Sequence, residues 1–115
     1  DLVDKDGLHR GGFIAPGLAM MSQSLLSRTG KIRFDTNQRG MGFGPGRDTG
    51  EAVRNGVLLG ACGFVMQAVE RLREICGDAV ILMTGGDAET IRQRLDLSTD
   101  LRPSLVLDGL ALALP

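Results

Sequence analysis

The sequence has 115 residues, 13 Lys+Arg against 14 Asp+Glu, 43% hydrophobic and 3% aromatic residues, and 17 Gly. That length suits one compact domain, residues 1–115, with enough burial for a core that needs no disulfide staples. The near-zero net charge argues against nucleic acid or an anionic membrane as partner, and without Trp or Tyr a stacking platform for bases is not expected.

Leu2-Val3, Asp4-Lys5-Asp6-Gly7 and Leu8 to Ile14 predict two short strands around a tight turn, with Gly7 supplying the positive φ. Asp4-x-Asp6-Gly7 has the look of a calcium loop, but the further ligands and the closing Glu are missing, so no metal site is assigned. His9 has no second ligand or nucleophile nearby and reads as an exposed strand residue. Gly11-Gly12-Phe13-Ile14-Ala15-Pro16-Gly17 ends the second strand and opens a helix over about 16–28, with Pro16 suited to the first turn and Leu18, Met21 and Leu25 at helical spacing. Such a junction presents free backbone N–H groups that can hold an anion or a polar ligand; it is equally an ordinary Gly/Pro-rich connection.

Thr29 to Arg47 is polar, with Gly40, Gly42, Gly44 and Gly46 on alternate positions. Neither a Walker loop nor a dinucleotide loop fits this alternation, so the segment reads as a long surface loop that orders against a partner or ligand. Asp48 or Thr49 caps a helix running to Cys76, with Glu51 placed three residues on as a capping box requires. Its first half, Ala52 to Ala68, is apolar on nearly every face and is expected to be covered on several sides. Gly56, Gly60 and Gly63 would admit another helix closely, inside the core or across a subunit interface. The apolar run Gly56 to Val69 is shorter than the roughly 20 residues of a membrane span. Cys62 and Cys76, about 21 Å apart on one helix, cannot bond and read as small core residues in a reducing cytoplasm.

Ala79 to Met83 is a continuous apolar run expected as a strand buried on both faces. Thr84-Gly85-Gly86-Asp87-Ala88 follows and opens a helix over about 88–95, the kind of strand end where α/β folds bind ligands. Asp96 to Pro103 reads as a turn-rich link, and Leu105 to Leu114 as a closing helix packed on the sheet, with a strand as the alternative.

Four pieces in order, Gly-Gly-x-Ile-x-Pro-Gly at 11–17, Gly-Arg-Asp-Thr at 46–49, Thr-Gly-Gly-Asp-Ala at 84–88 and Leu-Val-Leu-x-Gly-Leu at 105–110, together resemble the carboxyl-terminal half of type III pantothenate kinase. The resemblance implies an α/β chain forming half of an actin-like, ribonuclease-H-type fold shared with sugar kinases, and a cytoplasmic homodimer paired through the 48–76 helix region. It implies transfer of phosphate from ATP to pantothenate in the first step of coenzyme A synthesis, with Mg²⁺ accompanying ATP and a monovalent cation, K⁺ or NH₄⁺. Thr49 would then contact pantothenate and Gly85 and Gly86 would floor the nucleotide, with Gly11, Gly12, Pro16 and Gly17 in support. The family's Gly-x-Asp-Arg motif, which carries the catalytic Asp, does not occur here, so no catalytic residue and no metal ligand are assigned. The chain is therefore expected to be an amino-terminally truncated fragment that lacks the first strand of its sheet, is inactive alone and is marginally stable. A non-catalytic actin-like relative acting as a regulatory or partner-binding protein is the alternative.

Overall fold

The computed structural model describes residues 1–29 and 42–114, without the side chains of Arg28 and Thr29. Most of the expected surface loop, including Gly40, lies outside the described residues. Strands β1 (Leu2–Val3) and β2 (His9–Gly11) pair antiparallel, as the turn residues predict. Asp4 makes the turn: its Oδ1 accepts from the N–H groups of Asp6 (2.9 Å) and Leu8 (3.0 Å), and its carbonyl from Gly7, whose φ is 80°. The carboxylate is thus engaged by its own backbone. His9 is exposed and its Nε2 lies 2.9 Å from Asp1 Oδ1.

Helix α1 (Leu18–Thr29) begins two residues later than expected. The Gly17 carbonyl accepts the first helical bond, from Met21 at 3.0 Å, so Gly17 is the cap and Pro16 stands outside the first turn. Helix α2 (Thr49–Cys76) matches its predicted span. Asp48 caps it, accepting from Glu51 N–H at 2.8 Å, while Glu51 Oε2 reaches back to Arg47 N–H at 2.7 Å. At the other end Gly77, with φ 73°, closes the last turn by donating to Arg73 O at 2.7 Å. Helix formation carries α2 beyond the apolar run on both sides. By length and composition alone it is therefore long and apolar enough to cross a membrane, with a mean hydropathy of 1.4 over its best window.

Strands β3 (Leu82–Met83) and β4 (Asp100–Leu101) pair in parallel across α3 (Ala88–Arg92), and α4 (Leu105–Ala113) ends the described chain. Several expectations are corrected here. The link 96–103 contains a strand, because Asp100 N–H and Arg102 N–H bond to the carbonyls of Ile81 and Met83, each at 2.8 Å. The helix expected over 88–95 is α-helical only to Arg92, and Arg94 and Leu95 continue in tighter i to i−3 turns. Instead of one mixed sheet, the described residues form two separate two-stranded sheets. With one neighbour each and little above them, β3 and its approach are not buried on both faces: Val80 is 81% exposed. The closing element is a helix, yet all its described residues are exposed, so none is buried against a sheet as expected.

The core is small. Among the described residues Leu2, Val57, Leu58, Cys62 and Ala88 are buried hydrophobics, and Leu58 alone of them is fully enclosed. Helix α2 packs chiefly against α1 and α3, and its first half still leaves Leu59, Phe64 and Met66 exposed rather than covered on several sides. Cys62 is in the core as expected; Cys76, in the last exposed turn, is not. The chain is α/β in composition of elements, arranged around one long helix with unsatisfied apolar faces.

Candidate functional site

Thr49 is the first residue of α2 and is exposed. The cap belongs to Asp48, which leaves the Thr49 hydroxyl without a hydrogen bond among the described residues and available to a ligand. It stands at a groove of about 740 Å³ between α1 and α2. Met20, Met21 and Leu25 form the α1 wall, Val53, Gly56 and Val57 the α2 wall, and Pro16 one end. Ser24 and Thr49 are the polar residues of an otherwise apolar lining. A ligand here would be held by shape and by a few hydroxyls and amides at the mouth.

The segment entering α2 is fixed from below. Gly46 presses on the first turn of the helix, where a Cβ would collide with the backbone of Glu51 and Ala52. Asn55, only 7% exposed, accepts from Gly42 N–H at 3.0 Å and donates to Gly44 O at 2.9 Å. It is the one buried polar residue described, and both ends of its amide are satisfied. Neither role was singled out from the sequence. Gly46 is indistinguishable there from its alternate glycines. Asn55 did leave a signal: with Leu58 and Cys62 it follows the i, i+3, i+7 stripe that turns out to be buried.

The supporting glycines fall in two places. Gly11, with φ 114°, closes the hairpin, and Gly12 lies so near Asp1 that a Cβ would sit 2.6 Å from its Oδ1. Pro16 and Gly17 both border a hollow of about 250 Å³ against Phe64, Val65 and Ile91, and Pro16 also borders the main groove. Gly85, with φ 102°, and Gly86 turn the chain from β3 into α3; both are exposed, and a Cβ at either would meet open space. They do not line the Thr49 groove. The next residue links the two regions: Asp87 Oδ2 accepts from Leu18 N–H at 3.4 Å, so the Gly85-Gly86 turn is tied to the start of α1.

Charge near these sites is modest. Burial pushes the Cys62 thiol up, partly offset by the Arg94 guanidinium, so it is held neutral. On α3, hydrogen bonds from Arg92 and Gln93 hold Glu89 below the ordinary glutamate range, and Glu89 in turn raises Arg92. Among the described residues no three His, Cys, Asp or Glu side chains converge as metal ligands.

The model of the type III pantothenate kinase family matches residues 1–71. A type III pantothenate kinase of Azotobacter vinelandii is 42% identical over 120 aligned residues, covering 100% of this chain and 47% of that protein. One from Marinomonas sp. is 41% identical over 95% of this chain and 43% of its own length, and one from Pseudomonas paraeruginosa 44% identical over 100% and 47%. The chain belongs to the type III pantothenate kinase family. It spans about half the length of the curated relatives it matches.

Proposed function

We propose that residues 1–115 form a single domain of an ATP-dependent pantothenate kinase, which transfers the γ-phosphate of ATP to pantothenate in a cytoplasmic, homodimeric parent protein. The observation that carries this reading is the match of the whole chain to relatives of that name. Phosphoryl transfer to an alcohol is largely positioning and charge neutralisation. The described residues offer positioning. Thr49 presents an unengaged hydroxyl at the α2 N-terminus, beside the groove; we assign it a hydrogen bond to pantothenate made across the subunit interface. Gly85 and Gly86 leave open backbone on which a nucleotide can lie, with Gly11, Gly12, Pro16 and Gly17 shaping the connection between hairpin and α1. We assign Mg²⁺ to ATP, and a K⁺ or NH₄⁺ ion and the catalytic carboxylate to the parent as a whole.

A hollow of about 110 Å³ is lined by Asp1 and Leu2 of the hairpin, by Ala79 to Leu82 and by Val69 and Leu72 of α2. A preceding strand of the parent would join the two small sheets there into one half of an actin-like fold. The exposed α2 face with Gly56, Gly60 and Gly63, at each of which a Cβ would meet nothing within 4 Å, suits the proposed isologous contact. That pairing accounts for the apolarity of α2 without a membrane.

The test uses the full-length parent. It should release ADP from ATP only when pantothenate is present. Thr49→Val keeps volume and leaves the Asp48 cap intact, so a lost neutral hydrogen bond of about 0.5–1.5 kcal/mol should raise KM for pantothenate several-fold and leave KM for ATP unchanged. Absence of pantothenate-dependent turnover removes the kinase reading in favour of a non-catalytic relative; unchanged pantothenate kinetics in Thr49→Val removes the role of Thr49.

A further inference from the structure

We infer that Asn55 is a positioning residue for the acceptor substrate, acting through the backbone of residues 42–48; this rests on the kinase reading above. The groove's substrate-facing polar group, Thr49, is the first residue after that segment. Three fixtures hold the segment against α2: the Asn55 amide on Gly42 and Gly44, the contact of Gly46 with the first turn, and the Asp48–Glu51 cap. The cap and the glycine act at the helix end itself. Asn55 reaches the segment farther out, from the second turn of α2, and it grips two residues at once.

The site selects for Asn specifically. Gly42 offers an N–H and Gly44 a C=O, two residues apart, and a carboxamide alone presents acceptor and donor in one plane to meet both. At 7% exposure water cannot replace either bond at little cost. Ala52 and Val53 precede Asn55, Gly56 and Val57 follow it, and all four line the groove. The same helical turn thus carries the groove wall on one side and the clamp on the other. Releasing the clamp frees the chain that sets the approach to Thr49 while leaving Gly85 and Gly86, on another element, unaffected.

The experiment compares full-length wild type with Asn55→Ala and Asn55→Asp. For Asn55→Ala, KM for pantothenate should rise at least fivefold, with KM for ATP within twofold of wild type and the melting curve still cooperative. Asn55→Asp keeps the shape but turns an oxygen toward Gly44 O. Its KM for pantothenate should be raised at about pH 8 and move toward wild type as the pH is lowered, since burial disfavours the charged carboxylate and protonation restores a donor. Asn55→Ala should show no such return. Hydrogen exchange reads the clamp without turnover: the Gly42 amide should be protected in wild type and exposed in Asn55→Ala. Equal rises in both KM values, or a loss of kcat that only tracks loss of folded protein, would make Asn55 merely structural and overturn the inference. So would an unprotected Gly42 amide in wild type. If wild type lacks pantothenate-dependent activity, the kinase reading fails, and with it the substrate role of Asn55, whatever the exchange result.

Discussion

Gly42, Gly44 and Gly46 look alike in the sequence, and the structure separates them sharply. A Cβ on Gly42 or Gly44 would meet nothing within 4 Å, and neither has positive φ. A Cβ on Gly46 would overlap the backbone of Glu51 and Ala52, which are held in the first turn of α2 and cannot swing aside as a flexible side chain would. Gly46→Ala must therefore lift residues 45–47 off the helix. Overpacking of that kind costs about 1–3 kcal/mol. An independent route gives the same scale. Lifting the segment pulls Arg47 N–H from Glu51 Oε2, now 2.7 Å away, and disturbs the Asp48–Glu51 bond of 2.8 Å. Lost capping costs about 0.5–2 kcal/mol. Taking about 2 kcal/mol, and a parent twice this length, the melting temperature should fall by roughly 6 °C. Gly44→Ala is the control: it removes chain entropy from the unfolded state without strain and should hold or slightly raise the melting temperature. Thermal denaturation followed by far-ultraviolet circular dichroism decides between them. Equal melting of the two variants would refute the claim that Gly46 is required by close packing.

Two further outcomes follow from the electrostatics and burial. Glu89 is held below its ordinary range by Arg92 and Gln93, so its contribution is present at neutral pH and is lost as pH falls through the lowered folded value. Protection of the α3 amides, taken against the intrinsic exchange rate at each pH, should fall on acidification below the ordinary glutamate range, and Glu89→Gln should flatten that dependence. The second concerns the thiols. Cys62 is 4% exposed with a raised pKa and Cys76 lies in an exposed turn, so brief alkylation of native protein should label Cys76 first, as peptide mass mapping would show. Equal labelling would mean that α2 opens readily around Leu58.

Local chemistry made some elements legible and left others hidden. The boundaries of α2 could be read because Asp48, Glu51 and Gly77 are capping residues whose bonds are short range. The hairpin turn was legible because Asp4 and Gly7 make it among themselves. Strand β4 was not, since two residues leave no periodicity and its existence depends on carbonyls of Ile81 and Met83 some twenty residues away. In the candidate site, Thr49 emerged from a motif, but which of two adjacent residues capped the helix needed coordinates: a threonine hydroxyl and an aspartate carboxylate are equally able caps. Gly46 was hidden because alternation in sequence carries no information about what a backbone touches.

The largest departure from the sequence reading was burial. Apolar periodicity reports which residues need cover and is silent on whether this stretch of chain provides it. Helix α2 and the run 79–83 were both expected to be enclosed, and both lie largely open: Leu59 is 52% exposed and Val80 81%. The uncovered faces are not scattered. They gather on the glycine-lined side of α2, on the hollow between the two small sheets and along α4, where Val106, Leu107 and Leu112 are all more than half exposed. Surface of this kind is costly to leave in water, at roughly 25 cal/mol for each Å², so a stable protein containing these residues must cover much of it. The proposed parent offers two separate covers, a preceding half joined to the sheets and a second subunit against α2, which would account for the hollow between the sheets and the glycine-lined side of α2; the open face of α4 is assigned to neither.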